Sequence, residues 1–189
     1  MIAPPSRIGE HRQSDEVMLF TPVSYIFKHF QPKRHKEDGM LKVGAKAPDF
    51  TGIDDQGQTL TLKGFRGRKV VLYFYPKDNT PGCTKEACDF RDAMADLSQK
   101  GVVVLGVSPD SVSSHQKFKA RFSLPFTLLS DENHAIAEAY GAWQEKSMYG
   151  RKYMGIVRST FVIDEVGNIA EVHGKVKVRG HVEALMKSV

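Results

Sequence analysis

At 189 residues the chain suits one domain with an appendage. Its 41% hydrophobic and 26% charged content excludes a disordered polymer, and two cysteines exclude a disulfide scaffold. The net charge of +5 would suit an anionic or nucleic-acid partner. The cations, however, are interspersed with acids and form no block of five or six like charges, so the basic surface reads as solvated.

Residues 1–39 carry Pro4-Pro5, Pro22, Pro32, the basic run "PKRHK" and the apolar patch "VMLFTPVSYIFKHF". Pro22 and Lys28 break that patch, which is too short to span a bilayer. No small-residue cleavage site follows it, and Glu10, Asp15, Glu16, Glu37 and Asp38 are out of place in a transit peptide. The segment reads as a leader of weak structure ahead of a domain over residues 40–189. Met40 is a second candidate for the natural start of translation. The expected compartment is the cytoplasm.

From Lys42 the pattern becomes rhythmic. "APDFTGIDDQGQTLTL" predicts two short strands around Asp55-Gln56-Gly57. "RKVVLYFYP", rich in β-branched and aromatic residues, predicts a buried strand. From Cys83 to Lys100, Ala87, Phe90, Met94 and Leu97 recur at helical spacing until Gly101. "GVVVLGVS" is a second buried strand, "SVSSHQKFKARF" a helix and "FTLLSD" a short strand. A helix follows over His134–Tyr140, then a hairpin in "STFVIDEVGNIAEVHG" around Glu165–Asn168, then a closing helix in "GHVEALMKSV". This order predicts an α/β fold, a central sheet with helices on both faces and a parallel first βαβ unit. It is compatible with a thioredoxin-like sheet and with several other α/β folds.

Both cysteines lie in "YPKDNTPGCTKEACDFRD". Thr80 is a good N-cap and Pro81 suits a first helical position, so Cys83 falls in the first turn. Unpaired backbone N–H groups and the positive end of the helix dipole stabilise a thiolate there. Gly82 lets another group come close. The bland alternative is that Cys83 is a small buried hydrophobe. Cys88, five positions on, would lie about 7.5 Å along the helix and about 140° around it. That separation is too wide for a disulfide while the helix is intact. Either the pair never bonds or the helix unwinds to let it. Zinc is disfavoured, because no second cysteine pair, and no H-x₃₋₅-H spacing within the domain, accompanies the first. The dithiol motif C-x-x-C is absent too.

The same segment resembles the active-site segment of peroxiredoxins, in particular the bacterioferritin-comigratory-protein or peroxiredoxin Q group. The family pattern of Pro, Thr or Ser and Cys falls on Pro76, Thr80 and Cys83, and the group's second cysteine on Cys88. The likeness continues in "APDF", "GVVVLGVSPDS", "FTLLSDENHAIAEAYGAW" and "GIVRSTFVIDEVGNI", from Val43 to the C-terminus. It implies a thioredoxin-like fold with a central mixed sheet. It implies a thiol peroxidase without metal or organic cofactor, acting as a monomer on hydrogen peroxide and organic hydroperoxides. Cys83 would become a sulfenic acid, Cys88 would condense with it, and thioredoxin would reset the disulfide. Arg158 matches the family's catalytic arginine, and a fixed guanidinium answers a chemical need, the charge on the departing oxygen. Thr80 would hold the peroxide, unless its hydroxyl merely caps the helix. Pro76 would shield the thiolate, unless it merely ends the strand.

Glu86 would either tune Cys83 or favour the helix start. Trp143, Phe74 and Phe90 read as core or pocket wall, and His115 and His134 as exposed helix residues. Two further functions stay open on the residues alone. A disulfide oxidoreductase would want C-x-x-C, and a proline where Arg158-Ser159 stands. A nucleic-acid-binding or holdase protein would leave the cysteines incidental.

Overall fold

A computed structural model describes residues 36–37, 39–148 and 150–189, all within one unit, Arg34–Val189. The apolar patch at 17–30, and the leader reading built on it, lie outside the described residues. The domain begins with β1 (Lys36–Glu37), β2 (Met40–Leu41), β3 (Thr51–Asp54) and β4 (Thr59–Thr61). Next come β5 (Val70–Phe74), α1 (Pro81–Gln99), β6 (Val103–Ser108), α2 (Val112–Phe122) and β7 (Thr127–Ser130). The rest is α3 (Ala135–Tyr140), β8 (Trp143–Met148), β9 (Arg151–Ile156), β10 (Ser159–Ile163), β11 (Ile169–His173) and α4 (His181–Met186).

Seven strands make one sheet in the order β11-β10-β5-β6-β7-β3-β4. The run β5-β6-β7 is parallel and the flanking strands are antiparallel, so the sheet is mixed. Alternation along β5 divides the interior. Val70, Leu72 and Phe74 meet Ile136, Ala137 and Tyr140 of α3. Val71 and Tyr73 enter a second core with Phe90 and Leu97 of α1, Phe118 of α2 and Val182 and Leu185 of α4. Parallel pairing sets Gly106 beside Tyr73, and a Cβ there would lie 2.7 Å from the Tyr73 hydroxyl. The glycine thus makes room for the ring that stacks on Phe90 at 4.7 Å.

Helix α1 starts where Pro81 suits the first position and stops at Gly101, whose φ of 71° breaks the helical path. Phe90, fully buried, stabilises the packing of α1 on the sheet by roughly 2–3 kcal/mol. Arg91 adds a polar tie, donating to the Phe122 carbonyl at the end of α2 at 3.0 Å.

The expected elements are all present, but the pattern missed two ribbons. One is β1-β2; the other is the β8-β9 hairpin, a separate two-stranded sheet. Two histidines also differ from expectation. His115 is completely buried on the inner face of α2, three residues before Phe118. His134 precedes α3 with φ 61° and is half-buried, its ring stacked on Trp143 at 3.7 Å. Phe74 and Phe90 are core residues as expected. Among the described residues no helix is long and apolar enough to cross a membrane.

Candidate active site

The β5-to-α1 connection builds the site. Pro76, half-buried, follows the strand, and the chain turns through Asn79 at φ 57°, in the left-handed region that asparagine tolerates. Thr80 has extended N-cap geometry, and its carbonyl accepts from the Thr84 N–H at 2.9 Å. Its side chain does not cap. The hydroxyl instead donates to the Lys77 carbonyl at 3.1 Å, leaving oxygen lone pairs free to accept. The capping alternative is therefore not realised. With Pro81 lacking an N–H, the first donors of α1 without an intrahelical acceptor are those of Gly82 and Cys83.

Cys83 lies in this first turn and is only 2% exposed. Antiparallel pairing of β10 with β5 sets Ser159 opposite Phe74, which brings the preceding Arg158 alongside the start of the site loop. The Arg158 Nη2 donates to Cys83 Sγ at 3.2 Å, across 75 positions of sequence. A Cβ on Gly82 would stand 3.4 Å from the same nitrogen, so glycine here lets the guanidinium lie against the turn. The other arm of the guanidinium, Nη1, donates to Glu86 Oε2 in a short contact. Glu86 is fully buried one turn below Cys83.

The electrostatics are strained. Burial pushes the Glu86 carboxyl up from 4.5 to about 7, against the pull of Arg158. Burial also works against the Arg158 charge, but Glu86 and Cys83 outweigh it and Arg158 is raised. Glu86 Oε1 and the Tyr73 hydroxyl, both buried, have no hydrogen-bond partner among the described residues. Burial, followed by the nearby acids Glu86 and Asp78, raises the Tyr73 phenol well above its usual range. Behind α1, His181 is bonded through Nε2 to Thr160 Oγ1 at 2.8 Å and lies 5.4 Å, ring to ring, from His173. Burial, then the charges of His173 and Arg158, lower His181 from 6.5 to about 4.

Cys83, Arg158 and Glu86 are thus brought together, with Thr80 in the turn just before Cys83. Cys88 is not joined to them. It lies on the same unbroken α1, half-buried and unbonded. Sequence reasoning passed over His181, Thr160 and Tyr73. His173 and His181 are eight positions apart, and only the packing of α4 against β11 and β10 makes them neighbours. Among the described residues no group of three or more His, Cys, Asp or Glu side chains could hold a metal ion.

The arrangement can present a thiolate to an electrophile, with a guanidinium and helix N–H groups beside it to take up developing charge. Comparison with known proteins agrees. The AhpC/TSA family profile matches residues 43–172. The putative peroxiredoxin bcp of Coxiella burnetii is 58% identical over 142 residues, 75% of this chain and 94% of that protein. Peroxiredoxin Bcp of Bacillus subtilis is 48% identical over 149 residues, 79% of this chain and 95% of that one. Among solved structures, the bacterioferritin comigratory protein of Xanthomonas campestris, a protein with alkyl peroxide reduction activity, superposes with a TM-score of 0.74. It shares 38% identity, over 78% of this chain and 96% of that one.

Proposed function

From the premise that the chain belongs to the AhpC/TSA family and is a peroxiredoxin, we propose that Cys83 is its peroxidatic thiol and Cys88 its resolving thiol. The substrates are hydrogen peroxide and alkyl hydroperoxides. The Cys83 thiolate attacks one peroxide oxygen. A sulfur–oxygen bond forms as the O–O bond breaks, and the electron pair leaves with hydroxide or alkoxide, which takes up a proton. Cys83 is left as sulfenic acid, oxidised by two electrons. The Cys88 thiol then attacks that sulfur, water leaves, and a disulfide forms. A dithiol such as thioredoxin restores both thiols by exchange.

The geometry supports the roles we assign to the other residues. Arg158 holds the thiolate and faces the oxygen that arrives there, and the Gly82 and Cys83 N–H groups add donors. Thr80, its proton committed to Lys77, accepts from the peroxide O–H and so orients it. Pro76 walls the turn. The observation that carries this reading is the 3.2 Å bond from Arg158 to Cys83 at the helix start. We place catalysis in residues 40–189 of a monomer, in the cytoplasm.

The test uses two variants. Cys83→Ser should abolish peroxide consumption with the fold intact. Cys88→Ser should still oxidise once, to a sulfenic acid that a dimedone-type reagent captures, while thioredoxin-linked turnover collapses. Mass spectrometry of oxidised protein should find Cys83 linked to Cys88 within one chain. Equal loss of the single oxidation in both variants would overturn the roles.

A further inference from the structure

The loop ahead of Cys83 is held by a buried polar cluster that the chemistry above does not use. Asp78, in that loop, is 5% exposed, and His115, on α2, is completely buried. His115 Nδ1 lies 2.9 Å from Asp78 Oδ2, and Nε2 lies 3.2 Å from the Leu129 carbonyl of β7. A carbonyl can only accept, so Nε2 carries a proton. Asp78 Oδ2 also receives the Ser114 hydroxyl at 2.8 Å, and Oδ1 receives the Tyr75 hydroxyl at 2.8 Å. With Nε2 the donor to that carbonyl, one proton lies between Nδ1 and Asp78 Oδ2 and joins them. The two side chains are thus hydrogen-bonded to each other and sealed from water. The Asp78 N–H donates to Asp110 Oδ2 at 2.8 Å, and the Ser108 hydroxyl donates to that same oxygen at 2.7 Å. Asp78 thereby ties the loop to β5, β6 and α2, and through His115 to β7.

We propose that the Asp78–His115 pair is the positioning element that keeps the Pro76–Thr80 loop docked, and with it the first turn of α1 in its peroxide-reactive form, and that it stays docked while α1 unwinds beyond Cys83. This rests on Cys83 being the peroxidatic thiol. The pair touches neither peroxide nor sulfur. It acts through Thr80, whose hydroxyl and backbone stand two residues from Asp78. A buried pair that loses one partner leaves the other's polar atoms unsatisfied, so the docked loop becomes a minority state. The reactive fraction, and with it the apparent rate, falls in proportion.

The test compares His115→Leu, Asp78→Asn and the double variant, each checked for native circular dichroism. Each single variant should lower the second-order rate of Cys83 oxidation by hydrogen peroxide and by cumene hydroperoxide about tenfold or more. Alkylation of Cys83 by iodoacetamide, which needs no peroxide positioning, should change by no more than about twofold. The double variant should be no slower than the slower single one, because both break one interaction. An unchanged peroxide rate in folded His115→Leu overturns the proposal, as do losses that multiply or an alkylation rate that falls in parallel. The unmutated chain supplies two readouts should a variant fold poorly. Nitrogen NMR should show His115 protonated at Nε2, the donor to the Leu129 carbonyl, and a ring protonated at Nδ1 alone refutes the docked geometry. Amide exchange at 77–80 should stay slow in the disulfide form while 84–90 accelerates, and equal acceleration refutes the docked loop. Peroxide consumption that survives Cys83→Ser in the same assay would instead remove the underlying assignment.

Discussion

Two buried polar clusters flank the first turn of α1, and they are built on opposite terms. Around Asp78 every recorded polar side-chain atom is matched: two hydroxyls, one imidazole and one carboxylate satisfy one another and a strand carbonyl. Around Cys83 the matching fails. Glu86 offers one oxygen to Arg158 and buries the other without a partner, and the Tyr73 hydroxyl is likewise stranded. An unmet buried polar atom costs about 1–3 kcal/mol. The difference teaches a division of labour. The matched cluster fixes a backbone position, whereas the mismatched one holds a charge ready to be shared with something that arrives. Frustration gathered around the proposed peroxidatic thiol, and satisfaction beside it, is the distribution expected of a working enzyme.

That contrast can be broken most forcefully at Arg158. Arg158→Lys keeps a positive charge but loses the planar fork that reaches Cys83 and Glu86 together. The Cys83–peroxide rate should fall about 100-fold, while the melting temperature moves by only a few degrees. A rate loss no larger than the stability loss accounts for would make Arg158 a packing residue.

A smaller effect should appear in stability against pH, where two groups of the site oppose each other. Glu86 holds its proton better folded, at about 7 against an ordinary 4.5. The stability it contributes is fully present below pH 4.5 and is lost as the pH rises through about 7. His181 is depressed to about 4 from 6.5, so its contribution is present above pH 6.5 and is lost as the pH falls through about 4. Between pH 4.5 and 6.5 the slopes oppose. Urea melts of Glu86→Gln should show stability rising with pH across this window, by up to roughly 2 kcal/mol more than the parent. His181→Asn should show it falling. Curves parallel to the parent in both variants would mean that neither group titrates with folding.

The smallest effect sharpens the same point. Tyr73→Phe removes a buried hydroxyl without a partner and keeps the ring that stacks on Phe90. It should leave stability unchanged within about 1 kcal/mol or raise it. A loss of about 2 kcal/mol or more in thermal melts would reveal a partner for that hydroxyl.

Much of this was legible in the residues, for identifiable reasons. β5 and β6 are apolar runs, and the Thr-Pro-Gly-Cys turn carries its own helix-start chemistry, so the placement of Cys83 needed no long-range information. Arg158 is different. It is 75 positions away and reaches Cys83 only through the register of β10 on β5, so only the family likeness pointed to it. The β8-β9 hairpin escaped because "WQEKSM" and "RKYMGI" carry little apolar alternation and pair mainly with each other. His115 was misjudged in a polar helix although a signal existed: it lies three and seven positions before Phe118 and Phe122, on the face that turns inward. Reading that face as a stripe would have buried it. The mismatch at Glu86 had no such signal, because a glutamate in the second turn of a helix is unremarkable until a core closes over it.

The tie from Arg91 to the end of α2 has a consequence in time. On the proposed chemistry, each turnover begins a race after Cys83 is oxidised. Either α1 frays far enough for Cys88 to reach the sulfenic acid, or a second peroxide arrives first and carries the sulfur to the sulfinic state, from which a thiol reductant cannot recover it. Arg91 stands three residues past Cys88 and anchors the helix to the Phe122 carbonyl, so fraying that stops there has only a short stretch of helix to melt. A short melt is quick, and a quick melt keeps the unprotected interval brief. The position of one arginine would then set the peroxide concentration at which the protein begins to be consumed by its own substrate.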